Sequence, residues 1–207
     1  MKNDQERPKM NKMTAPKPKT KRGVERRAKI LAAAEQVIGE KGFAAASIAD
    51  ITRAADTALG TFYIYFSGKD ELFRELVEDM GQATRSQAAE RISHTTNRLE
   101  AERAGLEAYL MVIRERPMQY RIVEEARFVD PDAYRTYYME FGQAYAEQLE
   151  AAVEKGELAP GNAEVRAWAL MGIAKTLGER FVLWEDGADI DRIVTEAHKF
   201  ICNGMAP

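Results

Sequence analysis

The chain has 207 residues but only one cysteine, Cys202, and two histidines, His94 and His198. A single thiol cannot close an intrachain disulfide, and two imidazoles beside it fall short of most zinc ligand sets. No apolar run approaches the roughly 18 to 20 residues that span a bilayer, and the first residues are charged rather than signal-like. A cytoplasmic protein without a membrane partner is expected. The sequence also lacks a phosphate-binding glycine loop, a nucleophile elbow and a paired-histidine metal motif. Its carboxylates are scattered along helical faces, so neither enzymatic activity nor a metal or other cofactor is expected. Strand-like alternation is missing too.

What remains is a chain that is 45% hydrophobic and 30% charged, a balance suited to a packed core. Its net charge of -3 conceals an asymmetry: residues 1 to 70 carry +6 and the remainder -9. A basic front and an acidic back suggest a polyanion at one end, with a solubilising basic tail as the alternative. Lys2, Arg7, Lys9, Lys12, Lys17, Lys19, Lys21 and Arg22, interspersed with Pro8, Pro16 and Pro18, predict a disordered basic arm over residues 1 to 22.

From Gly23 onward, apolar residues recur three and four apart, and the pattern predicts an all-α fold of about nine helices. The first should run from Val24 to Glu40. Ser47 and Asp50 are spaced as a capping box for a short helix ending near Ala55, and Ala58 to Phe66 read as a compact aromatic helix. Ser67 and Asp70 suggest a second box opening a helix to about residue 92. Helices follow over Leu99 to Glu115, Met118 to Phe128, and from Asp130-Pro131, an N-cap acid with proline at the first helical position, to Lys155. Glu164 to Trp184 and Asp189 to Asn203 complete the series.

Two short helices joined by a turn of about four residues and braced by a preceding helix make a helix-turn-helix, whose second helix can enter a major groove. Pattern alone leaves ordinary core packing as the commoner explanation. The wording is more specific: Ser47-Ile48-Ala49-Asp50-Ile51, Gly60-Thr61-Phe62-Tyr63-Ile64-Tyr65-Phe66 and Lys69-Asp70-Glu71-Leu72 resemble the TetR family of bacterial transcriptional regulators. The resemblance covers residues 24 to 75 by motif. It implies homodimers whose N-terminal domains bind palindromic double-stranded operators and whose larger C-terminal domains bind a small effector. The corresponding division is residues 1-22 as arm, 23-70 as helix-turn-helix domain and 71-207 as effector and dimerisation domain, with the helix from about 68 to 92 linking the two. A ligand-responsive repressor is the expected function. The alternative is an all-helical interaction module binding another polyanion or a partner protein.

On this reading Gly60 lets backbone approach DNA, and Thr61 offers a hydroxyl and a methyl to a phosphate or thymine. Tyr63 is favoured as a phosphate contact, while Tyr65 stays open between contact and packing. Lys69 and Ser47 are further backbone candidates, with a solvated lysine the alternative for Lys69, and Arg53 could reach the backbone or a base edge. Where the family commonly has Gly-Val-Ser and a basic residue, this chain has Asp56, Thr57, Ala58 and Leu59. Ala58 cannot cap, so an earlier start capped by Thr57 or Asp56 is expected, and Asp56 can adopt the left-handed turn. No basic side chain lies between residues 54 and 66, which leaves affinity to the arm with Arg26, Arg27 and Lys29.

In the back half, Tyr109, Met118, Arg121, Arg127, Tyr137, Phe141, Trp168 and Met171 are effector candidates for an apolar or aromatic molecule bearing an anionic group. Core packing, exposed faces and helix ion pairs are the alternatives. Ala167, Leu170, Ala174, Leu177, Phe181, Ile193 and Ala197 are dimer candidates, because small residues let helices approach closely; intramolecular packing is their alternative.

Overall fold

A computed structural model describes residues 18 to 207, which are all-helical, with no strand among them. Most of the arm, residues 1 to 17, lies outside the described residues. Helix α1 spans Lys21–Lys41 because the Thr20 hydroxyl accepts from the Gly23 amide at 3.2 Å. Lys21 and Arg22, expected in the arm, are therefore its first turn; the cap outweighs the basic composition of the segment.

Helix α2, Ile48–Ala54, carries the expected capping box: the Ser47 hydroxyl accepts from the Asp50 amide and the Asp50 carboxylate accepts from the Ser47 amide. The Ser47 hydroxyl, which also donates to that carboxylate, then Lys41 and the Ser47 amide hold the Asp50 carboxyl down to about 2. Helix α3 is Leu59–Tyr65 and α4 is Lys69–Ile92. The second box does not form as spaced; Gly68 flanks α4, and the Ser67 amide donates to Glu71 at 2.6 Å. Helices α5, Arg98–Glu115, and α6, Pro117–Val129, meet at Arg116. Helix α7 is Pro131–Glu154, with Asp130 accepting from the Ala133 amide at 3.1 Å.

Helix α8, Ala163–Leu177, widens into a π-helical turn over Gly178–Leu183, where a regular helix was expected. The widening starts at a close approach to α5: a methyl on Gly178 would meet the Ile113 Cδ1 at 2.3 Å. Helix α9 is Ile190–Met205.

Three apolar clusters hold these helices together. The first joins α1 to α4 and includes Ile122, Val123 and Ala126 of α6 and Ala133 of α7, so packing runs straight across residue 70. Ion pairs reinforce the same joint. Arg27 of α1 pairs with Glu75 of α4, and Arg74 donates through Nε and Nη2 to Asp130 at 2.8 and 2.6 Å. The other clusters tie α5, α7, α8 and α9 around a cavity.

Candidate functional site

Residues Ala55 to Ala58 turn the chain from α2 into α3, and Asp56 sits at φ +46, the left-handed conformation anticipated for it. The earlier start of α3 does not occur. Ala58 is the N-cap and supplies no side-chain bond. Thr57 is engaged elsewhere, accepting from Arg26 Nη1 at 3.4 Å, and Asp56 faces Lys29 at 3.7 Å.

Helix α3 has a sharply divided surface. Phe62 and the following Phe66 are fully buried, with ring centroids 5.5 Å apart, while Leu59, Tyr63 and Ile64 are 52%, 53% and 64% exposed. Gly60 lies on the exposed side, and nothing would come within 4 Å of a methyl there, so the protein's own packing does not require its smallness. Thr61 is half-buried. Tyr65 is half-buried against the first core, with its phenol oxygen 3.8 Å from the Cβ position of Gly23, which favours packing over contact.

Two basic candidates are otherwise employed. Lys69 Nζ donates to the carbonyls of Phe43 and Ala46, both at 2.7 Å, and lies over the Phe43 ring. It secures the loop before α2 rather than projecting outward as expected. Arg27 is occupied by Glu75 and stacks on Phe66. Arg53 remains exposed, 3.3 Å from Asp50, and Ser47 is exposed at the head of α2. Arg26, Lys29 and Arg53 thus border the turn leading into α3.

The second site is a cavity of about 140 Å³ enclosed by α4, α5, α7, α8 and α9. Of the effector candidates, Tyr109, Tyr137, Phe141 and Met171 line it. Met118, Arg121 and Arg127 do not: Met118 packs on Gly39 of α1, Arg121 is exposed, and Arg127 stacks on the exposed Phe128. Helix α6 turns these residues away because Ile122, Val123 and Ala126 occupy its inner face. Trp168 lies in an adjoining open hollow of about 380 Å³ with Tyr134, Arg135, Met139 and Lys175. Tyr138 and Met171 line both spaces and form the partition between them.

Sequence reasoning missed the polar end of the cavity. Arg98 and Glu102 are 8% and 3% exposed; Arg98 Nε donates to Glu102 at 2.6 Å, Nη1 donates to Gln148 at 2.8 Å, and the Tyr145 hydroxyl donates to the second Glu102 oxygen. The i,i+4 spacing of Arg98 and Glu102 reads as a surface pair. Their burial goes with the α7 side chains Tyr145 and Gln148, which reach across and bond to them. Also missed was the wall supplied by Ala88, Ala89 and Gly105, whose smallness opposite the tyrosines leaves the space.

In the adjoining hollow, Lys175 donates to Glu124 at 2.7 Å and Tyr134 at 3.3 Å. Burial opposes its charge, but Glu124 outweighs that effect and raises its pKa. Burial also raises the phenols of Tyr109, Tyr120, Tyr138 and Tyr145, assisted by neighbouring acids. Raised phenols favour the fold fully below the ordinary tyrosine range near pH 10, and that contribution is lost as pH rises beyond it. An absorbance titration at 295 nm should therefore show these phenols resisting ionisation and then ionising together as the fold is lost. Ideal independent titration of all eight tyrosines would contradict the burial.

The dimer candidates divide. Ala167, Leu170 and Ile193 are buried inside the protomer, and Leu170 and Ala174 line the cavity, so they are not a free contact face. Leu177, Phe181 and Ala197 are half-buried around the third core. The outward face of α8 instead carries Val165, Ala169, Gly172 and Thr176, with Phe200 exposed on α9. The helical stripe was read on its inner side.

A braced helix pair with an uncovered second helix, joined to a helical body enclosing a cavity, is the architecture of a helix-turn-helix regulator. Residues 30–76 match the sequence model of the family described as bacterial regulatory proteins, tetR family. The chain is 39% identical over 85 residues to the HTH-type transcriptional regulator YvdT of Bacillus subtilis, covering 41% of this chain and 38% of that one. It is 25% identical over 188 residues to the HTH-type transcriptional regulator YdgC of the same organism, covering 90% and 95%. The solved structure of FadR from Bacillus subtilis in complex with stearoyl-CoA superposes with a TM-score of 0.74 at 20% identity, covering 86% of this chain and 98% of that one. Residues 30–76 of the chain are thus similar in sequence to the helix-turn-helix segment of that family, and the described residues share the fold of the solved structure. Among the described residues no helix is long and apolar enough to cross a membrane, and no cluster of His, Cys, Asp or Glu is arranged to hold a metal.

Proposed function

We propose that this chain is a cytoplasmic, non-enzymatic transcriptional repressor that binds a palindromic operator as a homodimer and is released by a small, mainly apolar effector. The observation carrying this reading is the divided surface of α3: its phenylalanines anchor it, and Gly60, Tyr63 and their neighbours face outward. Tyr63 and Thr61 supply hydroxyls for phosphate oxygens, Gly60 permits close approach, and Ser47 and Arg53 extend the contact along α2. The exposed faces of α8 and α9 supply the twofold contact, which places two α3 helices against half-sites roughly 34 to 36 Å apart.

The cavity supports the switch because its wall includes Thr84 to Ile92 of α4, the helix that reaches the first core through Leu72, Phe73 and Leu76. An effector that wedges α4 from α7 changes the angle at which α3 is presented. Apolar walls, with Arg135 and Lys175 beside the adjoining hollow, suit a chain or ring with an anionic end. The fold neighbour's stearoyl-CoA makes long-chain acyl thioesters the first compounds to test.

Selection from random duplex DNA, repeated with acyl-CoA esters of graded chain length, tests both functions. A palindromic site should emerge, and the effective ester should weaken its binding by roughly 5- to 150-fold, a coupling of about 1 to 3 kcal/mol. Linkage demands that operator weaken effector binding equally. Calorimetry giving one effector affinity with and without operator would overturn the switch.

A further inference from the structure

The outward face of α3 contains no cation, carboxylate or carboxamide. Between Ala58 and Phe66 the polar side chains are the hydroxyls of Thr61, Tyr63 and Tyr65, and Tyr65 leans on the first core. Side chains that read guanine, adenine and cytosine at major-groove edges are respectively Arg or Lys, Asn or Gln, and Asp or Glu, and the recognition helix has none of them. It presents Leu59 and Ile64, more than half exposed, on either side of Gly60 and Tyr63. These two aliphatics of a seven-residue helix are not among the residues packed into or against the first core. The base edge that rewards an apolar neighbour is thymine, through its C5-methyl group. The cations bordering the turn, Arg26, Lys29 and Arg53, suit the flanking phosphates and not α3's own groove face.

Resting on the regulator reading above, we infer that Leu59 and Ile64 select A·T base pairs by burying thymine methyl groups, making this a regulator whose central readout is apolar rather than hydrogen-bonded. Affinity and specificity are then divided between parts of the domain. The cations around the turn set the salt-dependent affinity, and the aliphatic face sets the sequence.

The test uses the full chain and the duplex recovered by selection, with individual thymidines replaced by 2′-deoxyuridine, which pairs identically but lacks the methyl. Each contacted methyl removed should weaken binding about fourfold, and one in each half-site about sixteenfold. Ile64→Ala or Leu59→Ala should abolish the penalty at the matching position, so that variant and uridine effects fail to add. Both positions are exposed, and an unchanged helical circular dichroism spectrum would confirm folding. Full affinity for a uridine-substituted operator, or selection of a G·C-centred half-site, would overturn the inference while leaving operator binding intact. Failure to retain any duplex would remove the regulator reading and this one together.

Discussion

An Arg98→Ala variant is expected to lose about 3 to 5 kcal/mol of stability, seen as a lower urea midpoint. Glu102 is 3% exposed and is held by the Arg98 guanidinium and the Tyr145 hydroxyl. Deleting the cation leaves a carboxylate in a low-dielectric wall with one neutral donor, and the cost of that burial exceeds the value of the pair itself. Replacing Arg98 and Glu102 together with leucine should recover most of the loss. Both residues line the cavity, so the double variant should also alter effector affinity while leaving operator binding near normal. A single variant within about 1 kcal/mol of the parent would mean that water reaches Glu102.

Phe62→Ala is the second large effect. Its ring is fully buried beside Phe66 and within the first core, and truncation should cost about 3 to 5 kcal/mol through lost transfer energy and the resulting cavity. The loss should fall first on α2 and α3, which are short and retain few other anchors. Operator binding should disappear before the helices around the effector cavity unfold. Hydrogen exchange would reveal the order: early exposure of residues 48 to 66 supports it, and uniform loss of protection through α7 to α9 would refute it.

Much of the architecture was legible where local chemistry decides it. Asp130 followed by Pro131 marks the start of α7 on sequence grounds, and Ser47 with Asp50 forms the box their spacing implies. Asp56 takes the left-handed turn because its side chain tolerates that conformation. Failures arose where distant partners decide. Lys69 has the right position for a phosphate contact, but the carbonyls of Phe43 and Ala46, more than twenty residues earlier, claim its ammonium. The missing cap at Ala58 is left unsatisfied because Thr57 is already turned toward Arg26. Such a cap is worth about 1 kcal/mol, less than the burial of the two phenylalanines that fix α3.

Around the cavity, composition was legible and register was not. Tyrosines and methionines do collect around a cavity, yet α6 points Met118, Arg121 and Arg127 elsewhere. Along α8, small residues occur on both sides, so periodicity could not distinguish the face lining the cavity from the face turned outward. Arg98 and Glu102 have the spacing of an exposed helix pair, and only their distant partners Tyr145 and Gln148 reveal their burial.

Ile122, Val123 and Ala126 occupy the same apolar cluster as the helix-turn-helix core. The helix-turn-helix segment is consequently not a transplantable part. A chimaera carrying residues 18 to 70 onto a foreign sensory body would expose Leu72-facing surfaces and lose the underside of α6. A functional graft would have to inherit that underside as well.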